Sequence, residues 1–144
     1  MYNTIQSFHS HFRWIIFIMA AIAIIIPFVN KNSQEINKKQ KLPALLFMIT
    51  MDIQVLLGLL MYFFYSPFGI KAFDMGMSVV MKTADIRKIA VEHFTMMLIA
   101  FVLVHVGYSK IKKADSAAKI SKHSLVFFGI ALIFILASIP WSRL

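Results

Sequence analysis

Long apolar runs alternate with short polar ones along this chain. The first run, Phe12 to Val29 (FRWIIFIMAAIAIIIPFV), has the roughly 18 residues that a helix needs to cross ~30 Å of hydrocarbon. Three further runs follow at about Pro43–Tyr65, 89–110 and Ser124–Trp141. The pattern predicts an all-α integral membrane four-helix bundle with spans at about 12–29, 43–65, 89–110 and 124–141, in one domain covering 1–144. Trp14 and Trp141 are interface anchors in this reading, Pro43 suits the first turn of the second helix, and Pro140 stops the last. Pro27 falls near the end of the first span, where a distorted last turn is tolerable.

The longest connection runs from Ser66 to Lys88. Pro67 and Gly69 open it, and Ile70, Phe73, Met77, Val80 and Met81 then recur at helical spacing. That spacing predicts a short amphipathic helix lying in the membrane interface over about 70–83, with Asp85 as the N-cap of the third span. A cleavable signal peptide is not expected. The first apolar stretch starts only after His9, His11 and Arg13, and it is too long for a signal core.

Composition agrees with lipid as the main solvent. The mean hydropathy is +0.77 and 60% of the residues are hydrophobic, far more than a soluble domain buries. A formal charge of +9 would suit nucleic acid, but the bases sit in short loops between apolar runs and read as topology determinants touching anionic headgroups. The first loop holds four Lys in 13 residues and the last five Lys in 14, whereas the middle loop holds four Lys or Arg in 23 with two Asp. The basic loops are therefore expected in the cytoplasm of a bacterium, with both termini and the middle loop periplasmic. There is no cysteine, which removes disulfides, thiolate catalysis and Cys-bound metal. Phosphate loops, nucleophile elbows and HExxH are also missing.

Chemistry, if present, rests on ionisable groups inside the spans, which are costly in hydrocarbon and by default hint at function. In the third run, AVEHFTMMLIAFVLVHVGYS, they are Glu92, His93 and His105. His93 shares a stripe with Met97, Ala100, Val104 and Gly107, a small-residue face that packs inward. His105 lies about 18 Å further along, at ~1.5 Å per residue, and points about 120° away, toward the second helix or toward lipid. The second span carries Asp52, and a stripe of Gln54, Gly58, Tyr62 and Tyr65. In the predicted topology His9, His11, Arg13, Tyr62, Glu92 and His93 gather near the outer face, while Asp52 and His105 lie deeper.

Three readings of this set stay open on residues alone. His93 and His9, with His11 as substitute, can offer axial nitrogens to a haem iron, and Arg13 one turn away can pair with a propionate. Asp52, Glu92 and His93, with Gln54 and His105, can instead form a proton or ion pathway. The third reading is structural: the same groups hydrogen-bond each other and fix the packing of an accessory or scaffold subunit, at about 1 kcal/mol per bond. A zinc site is not expected, because His9 and His11 diverge and Glu92-His93 is no zinc motif.

The pieces His9-Ser10-His11-Phe12-Arg13-Trp14, Gln54-Val55-Leu56-Leu57-Gly58 with Tyr62, Glu92-His93-Phe94-Thr95-Met96-Met97, Gly107 to Lys110 and Pro140-Trp141 follow in that order. Together the chain resembles a family of small four-helix bacterial inner-membrane proteins labelled cytochrome B. The resemblance implies a b-type haem and membrane electron transfer, with the family pattern falling on His9, Arg13, Gln54, Glu92 and His93. It assigns no role to His105, and it moves the haem reading ahead. The partners expected are the lipid bilayer and other membrane subunits or further copies of the chain, and no nucleic acid.

Overall fold

The computed structural model describes residues 1–36 and 38–141, and among them the backbone is helical with no strand. Four helices are long and apolar enough to cross a membrane. They are Tyr2–Val29, then Lys38–Leu60 with its continuation Met61–Tyr65, then Ala84–Lys113 and Ala117–Ser138. Large apolar side chains such as Ile25, Leu56, Val102 and Ile133 point outward from all four, as a lipid-facing surface requires.

The centre is built from small residues. Ala20, Ala23, Ala44, Ala100 and Ala131 are fully buried, and their lack of bulk lets the backbones approach closely. The aromatic pair Phe47–Phe128 fills the middle edge to face, with ring centres 5.0 Å apart. Gly107 marks a close approach of the third helix to the fourth: a Cβ there would lie 2.7 Å from Cβ of Phe127.

Four boundaries differ from the sequence-based expectation. The first helix begins at Tyr2, well before Phe12, because the segment ahead of the apolar run has no helix breaker and turns Gln6, His9, Ser10 and Arg13 to one side. Pro43 lies inside the second helix, which starts at Lys38. The expected interfacial helix over 70–83 is split into a tight 3-10 turn, Ile70–Met75, and a short helix, Met77–Lys82. Gly76 between them has φ of 98°, a left-handed conformation that only glycine adopts cheaply, so one continuous helix cannot form. Thr83, not Asp85, stands at the N-cap position of the third helix.

The ends are fastened by side chains that reach backbone carbonyls. Lys41 Nζ donates to the oxygens of Lys112 and Ala114 at 2.9 and 3.0 Å, closing the C-terminus of the third helix. Ser116 caps the fourth helix by accepting from the Lys119 backbone N–H at 3.2 Å. Beside it, a hydrogen bond from Lys119 Nζ, 2.9 Å away, holds the Asp115 carboxyl below its usual range.

Candidate functional site

The polar residues of the first three helices and the end of the fourth meet at one height. Gln54 Nε2 donates to the backbone oxygen of His9 at 2.9 Å, joining the first helix to the second. His93 Nδ1 lies 3.0 Å from the backbone oxygen of Ser138, joining the third to the fourth. A carbonyl only accepts, so this bond places the proton on Nδ1 and leaves the lone pair on Nε2. Across the centre the rings of His9 and His93 stand 6.3 Å apart, with planes at 81°.

Two departures from regular helix shape the surroundings. The stretches Met61–Tyr65 and Lys88–His93 are wide turns with i→i+5 bonding, of the kind that recurs at functional sites. They flank the same space: Tyr62 donates from its hydroxyl to the Ala90 oxygen at 2.7 Å and stacks on Phe94 at 4.2 Å. Gly58 gives the His9 ring room, since a Cβ there would approach His9 Cε1 to 3.3 Å.

These groups enclose a half-open cavity of about 170 Å³ at the end of the bundle predicted to be periplasmic, with His9, Arg13, Gln54, Gly58, Tyr62 and His93 in its wall. Buried side-chain atoms without a hydrogen-bond partner are few among the described residues: His9 Nδ1, Arg13 Nε, Gln54 Oε1 and Ser124 Oγ. The first three belong to cavity-lining residues. Leaving a buried polar atom unpaired costs about 1–3 kcal/mol, so their concentration here marks a space arranged for polar or charged contents.

Two histidines of this set could together hold a metal ion or a haem iron. With metal–nitrogen bonds of about 2.0–2.1 Å, two imidazoles on opposite sides of one metal have ring centres roughly 6.3 Å apart. The observed separation matches, although a direct edge-to-face contact would give a similar value. Ring packing leaves the three unpaired atoms unsatisfied, and a polar ligand or ordered water in the cavity would pair them. The enclosed volume is smaller than the ~300 Å³ at which cofactor pockets usually begin, so a porphyrin enters only if the walls part or its edge leaves through the mouth.

The other candidate residues are placed elsewhere. His11 turns away from the cavity and its Nδ1 lies 2.7 Å from the Ser7 oxygen. Glu92, grouped by sequence with Arg13, Tyr62 and Gln54, instead accepts from Arg87 at 3.1 Å and lies 3.9 Å from Lys88. Arg87 lies just before the wide turn and Lys88 on it, and both reach Glu92 more readily than any group across the bundle. Asp52 and His105 find each other: His105 Nε2 is 2.6 Å from Asp52 Oδ1, on the outside of the bundle between the second and third helices. Asp52, Glu92 and His105 are thus absent from the cavity wall. The Ser138 and Ala90 carbonyls that orient His93 and Tyr62 are backbone groups and carry no signal in sequence.

Compared with family models, curated proteins and solved structures, the chain matches none of them.

Proposed function

We propose that this is a cytochrome-b-like protein of the bacterial inner membrane that binds one b-type haem for electron transfer, with His9 and His93 as its axial ligands. The observation that carries the reading is the facing pair of histidines, 6.3 Å apart, set among three unpaired buried polar atoms. Haem held there supplies one-electron chemistry, and the chain supplies ligation, orientation and burial. The Ser138 carbonyl fixes the tautomer that frees His93 Nε2. Arg13 has an unpaired Nε–H to offer a propionate, and Gly58 leaves room for the His9 ring. Both termini and the loop from Ser66 to Lys88 lie on the periplasmic side in this proposal, which puts the site near the outer surface.

The test is haem binding in defined variants. Protein purified from a haem-replete host is expected to carry low-spin haem, and His9→Ala or His93→Ala to lose it while His11→Ala does not. Binding that survives both substitutions would contradict the assignment.

The small enclosed volume favours a second reading, a non-catalytic accessory subunit whose polar cluster only fixes its packing. That reading predicts stable co-purification with other membrane proteins and no chromophore.

A further inference from the structure

The Asp52–His105 pair has no place in the haem reading. Asp52 lies eleven residues beyond Lys41, which caps the end of the third helix, and His105 lies eight before Lys113. At 1.5 Å per residue these are depths of about 16 and 12 Å, near the middle of a ~30 Å hydrocarbon layer. At that depth the two side chains are still 42% and 38% exposed. Around them runs an apolar face formed by Ile49, Ile53 and Leu56 of the second helix and Ile99, Val102 and Val106 of the third, all outward-pointing.

Hydrocarbon cannot satisfy such a pair, and intramembrane ionisable groups almost always face protein or water. The 2.6 Å bond between them uses Nε2 of His105 and one carboxyl oxygen of Asp52. That leaves over Nδ1 of His105, a donor when it carries a proton, and Oδ2 of Asp52, an acceptor. Neither has another partner among the described residues.

We infer that this face is the contact between two copies of the chain. The occupant is set by the leftover groups. A second Asp52–His105 pair, related by a two-fold axis, offers an acceptor where the first offers a donor and a donor where the first offers an acceptor. The four side chains then close a ring of hydrogen bonds, and the six surrounding aliphatic residues pack against their equivalents. A lipid acyl chain satisfies neither group.

The chain has no cysteine, so single substitutions report the contact cleanly. Full-length protein carrying Ile53→Cys, Val102→Cys or an equal mixture of the two is reconstituted in lipid vesicles at high dilution and treated with a short bis-maleimide. Ile133→Cys, on the exposed face of the fourth helix, is the control. Covalent dimers are expected from the first set and not from the control. Adding Asp52→Leu with His105→Leu is expected to lower the dimer yield roughly tenfold, as two interhelical hydrogen bonds in a membrane would. Yields no higher than those of the control would overturn the inference, as would yields unchanged by removing the pair. So would adducts to a different protein when the same variants are treated in the membranes of the cell that makes them. The single substitutions keep the pair intact, so their result stands even if the double substitution prevents folding. Haem content has no bearing on any of these outcomes.

Discussion

At the residue scale the centre of the molecule is His93. Its Nδ1 is committed to the Ser138 carbonyl and its ring lies edge to face with that of His9, which leaves Nε2 as the uncommitted ring nitrogen. Losing an outer partner of a metal-bound histidine typically costs 10–100-fold in metal affinity, so removing a ligand should cost at least about tenfold. His9→Ala and His93→Ala are therefore expected to lower haem occupancy by about that factor or more, read as the Soret-to-protein absorbance ratio. His11→Ala is expected to leave the ratio unchanged, because that ring bonds Ser7 away from the cavity. Gly58→Ala is a finer probe. Its new Cβ would sit 3.3 Å from His9 Cε1, so the ring must give by a few tenths of an ångström. A shifted midpoint potential with retained fold is the expected outcome, and an unchanged potential would argue that His9 is not a ligand.

At the element scale the bundle depends on close helix approach and on its caps. Gly107→Ala forces a Cβ to 2.7 Å from that of Phe127, in a place where neither backbone can yield freely. Overpacking of this sort costs about 1–3 kcal/mol, and a lowered melting temperature in detergent is the expected readout. Ser116→Ala removes the hydrogen bond to the Lys119 N–H and should cost about 1 kcal/mol in the same assay, with the site untouched.

Helix boundaries also separate what sequence can convey from what it cannot. The four helices were legible because soluble folds rarely contain a continuous apolar run of membrane length, let alone four. The early start of the first helix was not, because Gln6, His9, Ser10 and Arg13 are polar for a reason a hydropathy window cannot register: they face a cavity. The break at Gly76 was hidden by apolar spacing that continues across it. Of the site, the inward stripe of His93 and the shared height of His9 were readable from helical periodicity. Glu92 was misplaced because periodicity takes no account of bases earlier on the same helix, and the wide turns that set its direction leave no mark in composition. A lone Asp52 in mid-span demanded a partner, and the second helix was one of two directions open to His105.

For the whole molecule, the distribution of Lys and Arg and the position of the cavity make one joint prediction. In intact cells Met75→Cys should react with a membrane-impermeant maleimide and Asn32→Cys should not, since the first lies in the middle loop and the second in a basic one. The reverse pattern would put the cavity on the cytoplasmic side. Orientation decides which carriers can reach the site, but the central claim is that a haem occupies it. The most direct test is the reduced-minus-oxidised absorption spectrum of the detergent-purified chain from a haem-replete host. Sharp low-spin b-type bands, near one haem per chain, are the expected result. Protein that is folded, monodisperse and free of such bands would contradict the haem assignment.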